Sequence, residues 1–178
     1  MAAASEFSRP FAIDGLRDGE AQVNVAAEPE ERARLALRFD LVAIDSLVAS
    51  FNLRLSPLGE VEVDGRLEAE VVQRCVVSLE AVPARVAESL ELRFAPGAPP
   101  PVEDLSFGPG EEEPAEPLEG GELDLGEVAA QQLALALEPY PRARGARVGP
   151  SSVGQAGGAP AGPFAALSAL KGERKKGP

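Results

Sequence analysis

Between Leu47 and Phe94 the apolar residues recur at every second position, and that period restricts the stretch to β-strands. Leu47, Ala49, Phe51, Leu53 and Leu55 alternate with polar or small residues, and Pro57-Leu-Gly59 then turns the chain. Val61, Val63, Leu67, Ala69 and Val71 fall on one side, with Glu62, Asp64, Arg66, Glu68 and Glu70 on the other. Gly65, inside that run, is expected to mark a bulge or a bend. A further strand runs from Val82 to Phe94, apolar at Val82, Val86, Leu90, Leu92 and Phe94 and interrupted by Glu88. Runs of this kind joined by short turns predict an antiparallel meander with one wet face. Glu62, Glu68 and Glu70 beside Arg66 then belong to a solvated strand face, not to an acid–base pair.

Two segments change the period to that of a helix. Around Glu28 to Phe39, Pro29 suits the first helical position, and Glu28, Glu30 and Glu31 lie at the positive end of the dipole. From 124 to 138, Leu125, Val128, Ala129, Leu133, Ala136 and Leu137 recur at helical spacing. Asp124 is a natural N-cap, Glu127 completes a capping-box pattern, and Pro139 and Pro141 forbid continuation. This helix carries no His, Cys or Ser–base pair, so it reads as a packing element. Ahead of both, Phe11 and Ile13 alternate as the start of a strand, Asp14 to Gly19 is turn-rich, and Gln22 to Ala26 fits an edge strand.

The remainder has a different composition. The 17 prolines and 18 glycines exceed what one compact domain of this length uses, so parts of the chain should stand outside it. Residues 96–121 combine prolines with acids and read as a flexible, disordered loop. Residues 140–178 read as a flexible basic tail that ends in a short helix at 163–171, begun by Pro163 and lined by Phe164, Leu167 and Leu170. The expected organisation is therefore one α+β domain over 1–139, an antiparallel β-sheet packed by two or three helices, followed by that tail.

Charge divides at the same point. Arg142, Arg144, Arg147, Lys171, Arg174, Lys175 and Lys176 face only Glu173 beyond Tyr140, a balance of +6; with a net charge of −12, residues 1–139 carry −18. Both halves can be plain solvated surface. The functional reading is that the acidic body repels nucleic acid and the basic tail holds it, as phosphate-contacting arms do. Tyr140 is the single aromatic beside those arms, so sequence-specific single-strand readout is not expected.

Several chemistries are closed off. The chain has no His and one Cys, which removes Ser-His-Asp and Cys-His nucleophiles and any internal disulfide. Cys75 with carboxylates is a poor structural zinc set. As a lone thiol it is either a buried small hydrophobe or, with Arg74 beside it, a reactive group. Gly108-Pro-Gly110 and Gly120-Gly121 lack the strand–helix setting of a phosphate loop. The N-terminus lacks the basic and apolar regions of a signal peptide, and no window reaches the roughly 18 apolar residues of a membrane span. A cytoplasmic protein with no cofactor, no small-molecule substrate and no membrane partner is expected.

Three segments together resemble the YceD family of large ribosomal RNA subunit accumulation proteins. Val61 to Leu92 contains Val72-Gln-Arg-Cys75, with Gln73, Arg74 and Cys75 at motif positions where many members read Cys-x-x-Cys. Glu122 to Pro141 resembles the family's acidic segment and following helix, with Asp124 and Leu125 at its start. Pro163-Phe-Ala-Ala-Leu-Ser-Ala-Leu-Lys171 resembles its closing motif through Phe164 and Leu167. Position 72 is Val, and Arg142 to Arg147 stands where many members carry a Cys-rich knuckle, so a metal role is not carried over. The resemblance, closest to alphaproteobacterial members, implies a non-enzymatic factor supporting 23S rRNA accumulation and large-subunit assembly. Its partner would be a ribosomal RNA precursor or a large-subunit ribosomal protein. In the alternative, the acidic body is an adaptor holding a basic ribosomal protein.

Overall fold

The computed structural model describes residues 5–16, 19–98, 115–118 and 120–147. Two compact units divide the chain, Met1–Ala146 and Arg147–Pro178, and Arg147 is the described residue of the second. The first unit is α+β. Its elements run β1 (Pro10–Ala12), a 3-10 turn (Ile13–Leu16), β2 (Glu20–Ala26), α1 (Pro29–Arg38), β3 (Ala43–Leu55), β4 (Val61–Arg74), β5 (Ala81–Pro96), β6 (Glu116–Leu118), β7 (Glu122–Asp124) and α2 (Leu125–Ala136).

The alternating runs form a sheet ordered β2-β3-β4-β5-β6, antiparallel except that β6 lies parallel to the end of β5. Phe51, Leu53, Val61, Val63, Leu67, Ala69 and Val71 are buried on its inner face, and α1 and α2 cover that face. The outer face is wet: Arg54 bonds Asp64 at 2.8 Å, and Glu68 holds Arg66 at 3.0 Å and Arg85 at 3.1 Å.

Gly65 departs from expectation. Its register is unbroken, pairing with Phe51 and with Leu90. A Cβ there would lie 2.8 Å from the Ser50 carbonyl, 2.9 Å from the Phe51 ring and 3.0 Å from Leu90, so the missing side chain is what lets those two pack over the strand. The irregularity lies instead between Ile44 and Ser46, where the register shifts. That extra residue lets both Ile44 and Leu47 point inward, although their spacing is odd. Arg32 of α1 donates to the freed Asp45 carbonyl at 2.7 Å.

Three further expectations change. The segment 96–121, expected as a flexible loop, contributes β6 at Glu116–Leu118 and the turn leading into β7, while residues 99–114 lie outside the described residues. The compact unit also runs past residue 139, because 141–146 pack against it. Ile13 opens the 3-10 turn, so the strand expected at Phe11 and Ile13 is only Pro10–Ala12. The short helix expected at 163–171 lies outside the described residues.

The N-terminal strap crosses the start of α2. Strand β1 pairs with β7, Phe7 is buried, and Leu125 N–H donates to the Arg9 carbonyl at 3.0 Å. Asp124 caps α2 as expected, accepting from Gly126 N at 3.0 Å and Glu127 N at 3.2 Å. It also accepts from Arg9 N at 2.7 Å and Ser8 Oγ at 2.6 Å. Glu127, expected to close a capping box, turns its carboxylate to Arg38 at 2.8 Å and Ser5 at 2.8 Å. The reciprocal pattern belongs to α1, where Glu31 accepts from Glu28 N at 2.8 Å and also holds Arg9.

Candidate functional site

The helix α2 ends before Glu138-Pro-Tyr-Pro141, where the prolines forbid its continuation and the chain bends at Pro139 and Tyr140. It then runs beside the end of β4. Gln73 Nε2 donates to the Glu138 carbonyl at 2.9 Å, Val76 N–H to the Pro141 carbonyl at 2.9 Å, and Ala143 N–H to Cys75 Sγ at 3.3 Å. These bonds bring together two loops that are remote in sequence, 75–80 and 138–146, and form one tip of the domain.

Cys75 organises the tip. The 75–80 loop closes with Cys75 N to Glu80 O at 2.8 Å and Leu79 N to Cys75 O at 3.0 Å. Leu79 takes φ 62, a conformation that a branched side chain resists, and it is exposed. Sγ is buried and accepts from Val77 N at 3.4 Å, Ser78 N at 3.3 Å and Ala143 N at 3.3 Å. Hydrogen bonding from the Ala143 N–H, then from Ser78, pulls the thiol down from 9.0 to about 6 against the opposing effect of burial. Of the two readings left open for Cys75, the structure shows a buried residue whose Sγ accepts hydrogen bonds.

This donor set does not fit a metal. Val72 occupies the partner position, three N–H groups already engage Sγ, and the described residues contain no group of three or more His, Cys, Asp or Glu that could hold an ion.

The arginines sort into two classes. Arg9, Arg38, Arg54, Arg66 and Arg85 each hold a carboxylate, and Arg32 and Arg34 bond backbone carbonyls. Arg74, Arg142 and Arg144 make no side-chain bond to another described residue, and all three are exposed at the tip. Tyr140 is 71% exposed there as well. Two acids border the group: Glu80 accepts from Ser78 Oγ at 2.8 Å and Glu138 from Tyr140 N at 3.2 Å.

Of the residues singled out from the sequence, the structure joins Gln73 and Cys75 with the segment that carries Arg142 and Arg144, whereas Arg74 alternates with Gln73 onto the wet face of β4. Asp124 and Leu125 lie at the other end of α2 and serve its packing. Arg147 opens the second unit, and Phe164, Leu167, Lys171, Arg174, Lys175 and Lys176 lie outside the described residues. The docking of the segment after α2 on Cys75 escaped sequence reading, because the Cys75–Ala143 bond spans 68 positions without any periodic signal. No helix among the described residues is long and apolar enough to cross a membrane.

A family model described as large ribosomal RNA subunit accumulation protein YceD matches residues 63–171, which include the whole tip. No curated protein and no solved structure was found to match.

Proposed function

The chain belongs to the YceD family, described as large ribosomal RNA subunit accumulation proteins, and on that premise we propose that it supports 23S rRNA accumulation and large-subunit assembly as a non-enzymatic, cytoplasmic RNA-binding factor. The observation that carries the reading is the exposed pair Arg142 and Arg144, whose side chains have no partner among the described residues. Guanidinium groups left free of carboxylates are ready to take phosphates bidentately. Lys171, Arg174, Lys175 and Lys176 extend the same charge along the chain. Catalysis is not part of the proposal, since the chain has no His and its one thiol is buried as an acceptor.

Crosslinking in cells tests this. RNA attached through residues 140–147 supports it, and a protein attached there with no RNA contradicts it. The second reading, an adaptor for a basic ribosomal protein, is favoured by the −18 carried by residues 1–139. It requires salt-sensitive co-purification with such a protein that survives nuclease.

A further inference from the structure

The segment that crosses the Cys75 loop alternates in exposure. Tyr140, Arg142 and Arg144 are exposed, whereas Pro141 is buried and Ala143 half-buried. The backbone of Pro141 and Ala143 lies against the 75–80 loop, accepting from Val76 N and donating to Cys75 Sγ. Tyr140 and Arg142 are the exposed residues on either side of buried Pro141, and Arg144 follows at the turn around Gly145. Pro141 fixes its own φ and biases Tyr140 to extended backbone, Pro139 fixes φ on the other side, and the Tyr140 N–H is held by Glu138.

Tyr140 is thus a rigidly mounted ring. It is 71% exposed, and among the described residues it is the one exposed aromatic. Its hydroxyl has no partner among them. A Tyr of this size ordinarily buries most of its ring. An outward ring beside free guanidinium groups has the parts of a stacking platform for a base whose phosphates are held nearby.

We propose that Tyr140 stacks an unpaired nucleobase while Arg142 and Arg144 hold the adjoining phosphates, so that the tip selects unpaired RNA over duplex. The inference rests on the reading of the tip as an RNA-binding surface. In a duplex the base faces are already stacked on one another, and only phosphates and hydroxyls reach the protein. Stacking uses a face that every base has, so binding tolerates sequence. Glu80 and Glu138 at the border oppose phosphate, which keeps binding modest and salt-sensitive.

The test is a fluorescence-anisotropy titration of the full chain with a labelled single-stranded RNA of mixed sequence and with the blunt duplex of the same sequence. Wild type is expected to favour the single strand. Tyr140→Ala is expected to weaken single-strand binding about 5- to 100-fold and to leave duplex binding and the salt slope unchanged. Tyr140→Phe and Tyr140→Trp, which keep a stacking face, should bind within about twofold of wild type or tighter. Arg142→Ala with Arg144→Ala should weaken both RNAs and lower the single-strand salt slope by about 0.7 per arginine. If Tyr140→Ala binds like wild type, or loses both RNAs equally, while the arginine variant is weakened, stacking is overturned and the basic tip survives. If wild type binds neither RNA, or the arginine variant binds as wild type does, both readings fall.

Discussion

Gly126→Ala isolates the strap across α2. In an open helix this change stabilises, because Ala exceeds Gly by roughly 1 kcal/mol in helix propensity. Here a Cβ would lie 2.5 Å from the Phe7 carbonyl oxygen, 2.9 Å from its carbon and 3.0 Å from Arg9 N. All three are backbone atoms, so no side chain can swing away. Reaching ordinary contact needs a shift of about 1 Å. The strap that must shift carries Leu125 N to Arg9 O at 3.0 Å, Arg9 N to Asp124 at 2.7 Å and Ser8 Oγ to Asp124 at 2.6 Å. Overpacking costs about 1–3 kcal/mol, and each weakened hydrogen bond about 1 kcal/mol. After the helix gain, net destabilisation of about 2–4 kcal/mol is expected, lowering Tm by roughly 5–15 °C. Urea and thermal unfolding followed by circular dichroism measure it. Removing residues 1–9 from both proteins should reverse the sign, making Ala the better residue by about 1 kcal/mol. A Gly126→Ala protein as stable as wild type, or more so, refutes the placement of the strap.

Other consequences follow from the same geometry. Gly65→Ala should destabilise by about 1–3 kcal/mol despite the better strand residue, since its Cβ meets Ser50, Phe51 and Leu90 at 2.8–3.0 Å; a neutral result in urea melts contradicts the packing. Asp124→Ala should destabilise by about 2 kcal/mol, since it removes a cap that also holds Arg9 N and Ser8; a loss under about 0.5 kcal/mol in the same melts contradicts this. Hydrogen bonding from Arg38 holds Glu127 below the usual carboxylate range. Its contribution is therefore present above the unfolded value and lost as pH falls through the folded one, so Glu127→Gln should flatten the acid limb of the stability–pH curve. The Cys75 thiol, near 6 when folded and 9.0 ordinarily, makes the unfolded chain bind more protons between those values. Stability should rise with pH across that window and fall back as pH drops through about 6, and Cys75→Ala should abolish the slope. An unchanged slope means that the N–H groups do not favour the thiolate.

The sheet was legible because its strands are long and one-sided: thirteen to sixteen residues of alternation in β3, β4 and β5 override local exceptions. Helix starts were legible at Pro29 and Asp124 because capping is local chemistry. Strands β6 and β7 were not, since three residues show no period, and β1 was placed at Phe11 but not bounded. Gly65 misled because a missing side chain has the same letter whether it permits a bend or makes room for Phe51; only the neighbour's position decides. The bulge after Ile44 was hidden because Asp45 resembles any polar strand residue. At the tip, sequence marked Cys75 and Arg142 to Arg147 separately. What joins them is three hydrogen bonds linking Gln73 at the end of β4, and Cys75 and Val76 in the loop after it, to the segment after α2, and these depend on the whole fold.

The central claim is that Arg142 and Arg144 form the surface through which this protein sustains large-subunit ribosomal RNA. The direct measurement is the ratio of 23S to 16S rRNA in cells depleted of the protein and supplied with either wild type or an Arg142→Glu, Arg144→Glu variant. Both side chains are exposed and unpartnered among the described residues, so the variant should melt as wild type does. The account expects depletion to lower the ratio, wild type to restore it and the folded variant to leave it low. Full restoration by the variant, or an unchanged ratio on depletion, contradicts it.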